Sequence, residues 1–256
     1  MDLGIRDRVA LVTGASSGLG KACALALAGE GARVAVAARR AAELERVASE
    51  SIERGAVDAR AFTVDLTDAR SIDLLLRDVR EAFGGVDILV ANSGGPKPGS
   101  FLQTAPEDWD VAYRGVLRSM LQLIHGVVPG MRERRWGRIV ALTSTSVKQP
   151  IATLALSNVF RTALVSALKT LSGEIAKEGV TVNAIATGRI LTDRLRALYG
   201  GDDGALQRAG TEVPIGRIAQ PDEFAPLVAF LCGEPARYVT GQTIAVDGGL
   251  ISGLFG

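Results

Sequence analysis

The sequence predicts a doubly wound α/β fold in one domain, and three observations predict it. Short β-rich runs alternate with helical stretches almost to the C-terminus; those runs are continuously apolar; and no linker, low-complexity tract or internal repeat interrupts them across residues 1–256. An unbroken apolar run marks a strand buried on both faces. Strands that alternate with helices are parallel and joined by right-handed crossovers.

Arg8–Val12 reads as the first strand and leads through a glycine-rich turn into a helix over Gly18–Ala28. Val34–Ala38 is the second strand, followed by a charged helix over Glu43–Arg54. Ala59–Val64, a helix over Ser71–Phe83 and the strand Val86–Ala91 come next. A long helical region from Pro106 to Arg135 precedes the strand Arg138–Leu142. The helix expected over Thr153–Glu178 carries Leu164, Leu168, Leu171 and Ile175 as one core-facing stripe. Its small Ala163, Ser166, Ala167 and Thr170 allow another helix, of this subunit or a second one, to approach closely. Thr181–Ile185, a helical insert, a helix over Pro221–Leu231 and the strand Thr243–Val246 complete the pattern.

Composition narrows the function. Lys+Arg (29) balance Asp+Glu (28), which argues against nucleic acid or an anionic membrane as partner. Arg132, Arg134, Arg135 and Arg138 cluster, and read as a solvated helix end before a strand. Cys23 and Cys232 lie in apolar helical patterns without metal-ligand spacing, so both are expected buried and reduced. His125, the only histidine, reads as a helix-packing residue, and no metal site is expected. There is no membrane-length apolar run and no signal-peptide pattern, so the expected location is the cytoplasm.

Thr13-Gly14-Ala15-Ser16-Ser17-Gly18-Leu19-Gly20 joins the first strand to the first helix. Glycines permit the tight turn and let backbone approach a pyrophosphate, while the helix N-terminus offers unpaired N–H donors. The spacing is G-x-x-x-G-x-G, so the general G-x-G-x-x-G fingerprint is only partly met. At the end of the second strand a carboxylate would bind a ribose 2′-hydroxyl, whereas an arginine accommodates a 2′-phosphate. This chain has Ala38-Arg39-Arg40, which favours NADP(H). The competing reading, solvated turn residues, suits Arg40 better than Arg39.

These motifs resemble the short-chain dehydrogenase/reductase family over essentially the whole chain, and most of all its β-ketoacyl-carrier-protein reductase-like members. Thr13–Gly20 matches the family's cofactor turn, and Asp65-Leu66 resembles its adenine-contacting pair. Asn92-Ser93-Gly94 stands where the family has Asn-Ala-Gly, and Trp109 matches a frequent helix marker. Gly188-Arg189-Ile190-Leu191-Thr192 is similar to the segment that holds the nicotinamide amide, with Gly188, Ile190 and Thr192 as its contacts and Thr187 replacing a proline. Pro221–Gly249, ending TGQTIAVDGG, is similar to the last helix and strand. The resemblance implies about seven mainly parallel strands, a small-molecule substrate and a homo-oligomer, with a tetramer most typical.

In that family a Ser, a Tyr and a Lys, backed by an Asn, carry the chemistry. Aligned on Gly137-Arg138-Ile139, the Ser falls at Ser144, but the Tyr position holds Ser157, the Lys position Arg161 and the Asn position Val116. An alkyl hydroxyl is a far weaker acid than a phenol of pKa about 10, and arginine is a poor proton relay. Losing general acid catalysis costs about 10²–10⁴-fold in rate. Three routes offset the loss: a water held by Ser144 and Ser157, a substrate that forms a stabilised anion, or a substitute acid in Lys148 or Lys97. The expected function is an NADP(H)-dependent oxidoreductase that reduces a carbonyl or related acceptor with altered proton delivery. Ser144 orients the substrate, Arg161 holds the ribose and Ser157 holds water or substrate. The alternative is a catalytically silent NADP(H)-binding sensor or scaffold. Residues 191–211, with apolar Leu195, Leu198 and Leu206, are expected to form a substrate lid.

Overall fold

The structure is a computed structural model that describes residues 1–254; residues 255 and 256 of the expected domain lie outside the described residues. Seven strands form one sheet: β1 (Val9–Thr13), β2 (Arg33–Ala38), β3 (Asp58–Thr63), β4 (Ile88–Ala91), β5 (Gly137–Leu142), β6 (Val180–Thr187) and β7 (Thr243–Val246). Their order is β3-β2-β1-β4-β5-β6-β7, and every pairing is parallel. The chain moves outward from β1 to β3, then returns to β4 on the other side of β1. The strand order therefore reverses between β1 and β4, which is where an open α/β sheet forms its ligand crevice.

Two helical layers cover the sheet. On one face α1 (Gly18–Gly29), α2 (Ala41–Arg54) and α9 (Pro221–Cys232) pack Leu27, Leu44 and Phe224 against Ala10, Val12, Val34 and Val36. On the other, α3 (Ala69–Phe83), α5 (Ser119–Glu133) and α6 (Ala155–Ile175) pack Leu75, Leu123 and Leu164 against Leu11, Ala35 and Ala37. Successive strand residues thus serve opposite cores, which explains the unbroken apolar runs. The expectation fails at the edges: residues of β3 and β7 are only half-buried or exposed, because each has one neighbour. Cys23 of α1 and Cys232 of α9 are fully buried free thiols, as expected. Burial pushes both thiols well above their ordinary pKa, Cys232 to about 12.

Several boundaries and exposures differ from expectation. The region from Pro106 is broken into α4 (Pro106–Ala112), a π-helical segment over Tyr113–Arg118 and α5. The helix expected to run to Glu178 ends at Ile175 and tightens into a 3₁₀ turn, Ala176–Glu178. His125 is exposed on α5, not packed. Arg132, Arg134 and Arg135 are exposed, as expected of a solvated helix end, but Arg138 departs from that reading. Arg138 is 2% exposed, donating to the carbonyls of Gly137, Gly179 and Gly233 and pairing with Glu234 at 3.5 Å. Arg132 pairs with Glu178 and Arg134 with Asp87. Among the described residues no helix is long and apolar enough to cross a membrane.

Candidate active site

A cleft of about 940 Å³ opens at the C-terminal ends of the strands, between the loops that follow β1 to β6. Its size lies near the top of the ~300–1,000 Å³ range of small-molecule sites. Among the described residues no group of three or more His, Cys, Asp or Glu side chains is arranged to hold a metal.

The glycine-rich turn forms one end. Gly14 and Gly18 have φ of +60° and +55°, a region that favours glycine. A Cβ on Gly20 would lie 2.2 Å from the Gly14 carbonyl oxygen, so Gly20 lets α1 start tight against the turn. Gly20 does not line the cleft, whereas Gly14, Ser16, Ser17, Gly18 and Leu19 do. Ser17 occupies the N-cap of α1, yet its side chain makes no capping bond, and no acid stands in the first turn. The donors at this helix end therefore lack the usual side-chain partner. Ser16 and Ser17 Oγ instead accept from Arg40, the closest contacts being 3.0 and 2.9 Å. Both arginines are exposed and line the cleft, but Arg40, expected to be merely solvated, sits on the turn, while Arg39 makes no bond to it.

Asn92 braces the same corner. Its backbone N–H donates to Thr13 Oγ1, its carbonyl accepts from that hydroxyl, and its side-chain amide donates to the Gly14 carbonyl at 3.4 Å. Asp65 Oδ1 accepts from the Thr67 N–H and hydroxyl, which hold the carboxyl below its ordinary pKa, with Arg39 adding to the effect. Leu66, Ser93 and Gly94 line the cleft between these two groups.

The other end contains Ser144, Ser157 and Arg161. Ser144 follows β5 and its Oγ accepts from the Ser146 N–H at 3.1 Å, leaving the Ser144 O–H free to donate. Ser157, buried in the first turn of α6, does not pair with Ser144: its hydroxyl lies 3.3 Å from that of Ser146. Arg161, one turn further on, is 8% exposed and donates from Nη1 to the Leu142 carbonyl at 2.8 Å. Burial, helped by the charge of Arg194, pushes its pKa down to about 10. Val116 lies in the π-helical segment and is buried at the cleft wall. Among the described residues no tyrosine lines the cleft.

Lys148 does not reach the cleft, and Lys97 lines it but is paired with Asp108 at 2.8 Å. Neither is a free acid beside Ser144. Thr187, Gly188, Ile190 and Thr192 form the wall after β6; Thr192 caps α7 (Asp193–Leu198), with its Oγ1 accepting from the Leu195 N–H. The 191–211 stretch folds as α7 and α8 (Asp203–Thr211), joined through Gly200 and Gly201 at positive φ. Leu195 and Leu198 line the cleft, but Leu206 is buried elsewhere. Three functional candidates escaped the sequence reading. Thr187 carries a buried Oγ1 without a partner, Ser146 couples the two site serines, and Arg194 reaches from α7 to the Pro96 carbonyl at 2.6 Å. The Thr-for-Pro replacement was the only sequence signal among these.

Comparison with known proteins agrees with this architecture. The family model described as Enoyl-(Acyl carrier protein) reductase matches residues 14–251. The chain is 35% identical over 255 residues to the 3-oxoacyl-[acyl-carrier-protein] reductase FabG of Vibrio cholerae, covering 97% of this chain and 99% of that one. The L-sorbose reductase of Gluconobacter frateurii, solved with NADPH and L-sorbose, superposes with a TM-score of 0.93 at 37% identity, over 99% of this chain and all of that one. An actinorhodin polyketide ketoreductase solved with NADPH gives 0.90 at 38% identity, over 95% and 97% of the two chains.

Proposed function

This chain belongs to the short-chain dehydrogenase/reductase family, and on that premise we propose that it is an NADP(H)-dependent oxidoreductase that reduces a carbonyl or related acceptor without a tyrosine acid. One observation carries the reading. A single cleft joins an uncapped helix N-terminus under an arginine to a free Ser144 hydroxyl beside the buried cation of Arg161.

The residues fit the cofactor. A Cβ at Gly14 would meet Asn92 Nδ2 at 2.7 Å and one at Gly18 would meet Thr192 Cγ2 at 3.2 Å, so close packing and positive φ both require glycine in a turn whose backbone lines the cleft. The orphan Thr187 hydroxyl supplies an unused polar group beside Gly188, Ile190 and Thr192, where the nicotinamide amide would lie. Arg40, with Arg39 next to it, suits a 2′-phosphate, and Asp65 with Leu66 suits the adenine. Bound NADPH supplies hydride to an electrophilic carbon.

The chain supplies orientation and electrostatics. The Ser144 O–H donates to the acceptor oxygen. Arg161, pinned by Leu142, holds the ribose with its remaining donors and stabilises negative charge on that oxygen. Arg161 stays cationic at neutral pH and acts as a fixed charge, and the proton comes from water, which the Ser146–Ser157 hydroxyl pair helps to hold. The α7–α8 segment acts as the lid, and the family likeness supports a homo-oligomer.

The competing reading is a silent cofactor-binding sensor or scaffold, favoured by Val116, Ser157 and Arg161 at the positions of the family's Asn, Tyr and Lys. Single-turnover oxidation of bound NADPH against pooled β-ketoacyl thioesters, diketones, enones and quinones decides between them. Oxidation that disappears in Ser144→Ala supports the enzyme. Tight binding without oxidation above buffer supports the sensor.

A further inference from the structure

The substrate end of the cleft carries cationic charge that no side chain neutralises. Arg161 spends one N–H on the Leu142 carbonyl, and among the described residues its remaining donors have no protein partner. Arg194, half-buried on α7, donates to the Pro96 carbonyl. Among the described residues neither guanidinium pairs with a carboxylate. The acids that line the cleft are engaged or exposed: Asp65 with Thr67, Asp108 with Lys97, and Asp193 in solvent. Both guanidiniums line the same cleft, and the charge of Arg194 adds to burial in lowering the Arg161 pKa. Like charges in a desolvated wall repel, and an anion between them relieves both.

Backbone geometry makes room for this arrangement. A Cβ on Gly95 would stand 2.5 Å from Arg194 Nε and 2.7 Å from its Cζ, so the guanidinium lies directly over a residue without a side chain. Arg194 thereby spans the cleft from α7 to the loop after β4. Its planar fork matches a carboxylate better than a compact cation would.

Resting on the reductase reading above, we propose that the substrate is an oxo acid, its carboxylate held by Arg194 and its ketone oxygen by Arg161 and Ser144. The reaction is oxo acid plus NADPH plus a proton, giving hydroxy acid plus NADP⁺. Hydride forms the new C–H bond at the carbonyl carbon, the C=O π pair moves to oxygen, and water supplies the proton.

The test is calorimetric and needs no turnover: oxamate against its neutral isostere oxamide, titrated into NADPH-saturated protein. Oxamate should bind at least tenfold tighter than oxamide. Arg194→Gln should erase that difference and Arg194→Lys should retain part of it, with NADPH affinity and thermal stability unchanged in both. Equal binding of the two compounds, or preference for oxamate that survives Arg194→Gln, overturns the proposal. So does a tenfold loss of NADPH affinity in Arg194→Gln together with phosphate competition, which would assign Arg194 to the cofactor's phosphates. Selective oxamate binding without oxidation of NADPH by any 2-oxo acid would keep the anion site and remove the reductase reading. Turnover of neutral ketones with no oxamate binding would do the reverse.

Discussion

Replacing Arg40 with alanine removes the guanidinium that sits on Ser16 and Ser17 at 3.0 and 2.9 Å. A 2′-phosphate in that corner would carry nearly two charges. At about 4 Å each charge is worth ~1 kcal/mol in a water-like dielectric. Salt trims the Coulomb part because Arg40 is exposed, while charge-assisted hydrogen bonding restores some of it. The net expectation is about 2 kcal/mol, or roughly 30-fold in the NADPH dissociation constant. NADH lacks the phosphate and should change less than about twofold by the same reasoning. Titration by reduced-nicotinamide fluorescence in low and high salt measures both, and the NADPH penalty should shrink at high salt. Equal losses for the two cofactors would refute the assignment. Discrimination that depends on Arg39 and not Arg40 would refute it too.

Other consequences are as direct. If a missing phenol limits turnover, Ser157→Tyr combined with Arg161→Lys should raise the single-turnover rate by on the order of 10²-fold; an unchanged rate would show that proton delivery is not limiting. Arg138→Met removes the donor to the carbonyls of Gly137, Gly179 and Gly233 and leaves Glu234 with Trp136 but without its cation. It should cost about 3 kcal/mol in urea unfolding, and a loss under about 1 kcal/mol would count against a structural role. The oxamate carbonyl oxygen leans on the Arg161 cation, whose pKa lies near 10. Oxamate affinity should therefore fall as pH rises through about 10, with Arg161→Met removing that step. The same depressed pKa has the opposite effect on folding: above it the folded state sheds a proton that the unfolded chain retains, so this residue's contribution to stability rises with pH.

The sheet and the phosphate turn were legible because each rests on local chemistry. Strands buried on both faces cannot hide their apolar runs, and Gly14 and Gly18 occupy a turn that needs positive φ. What escaped depends on partners remote in sequence. Arg138 looks solvated until α9 delivers Glu234 and the Gly233 carbonyl to it. The π-helical segment is a change in hydrogen-bond register, which a hydrophobic stripe does not record. Arg39 and Arg40 both lie beyond the end of β2, and the bond from Arg40 to Ser16 and Ser17 joins residues more than twenty apart in sequence, which no local pattern records. Arg194 became visible only when α7 folded back over Gly95.

Cys23 and Cys232 turn the seam between α1 and α9 into a clock. Thiols this deeply buried, with their thiolates disfavoured, react with an alkylating reagent only when the two helices part. The labelling rate thus reads the opening free energy of the helix whose first turn borders the phosphate corner. A ligand that occupies only the closed form must slow that rate by the factor 1 + [L]/Kd. Cofactor preference can then be ranked by how long two cysteines stay silent, before any substrate is known.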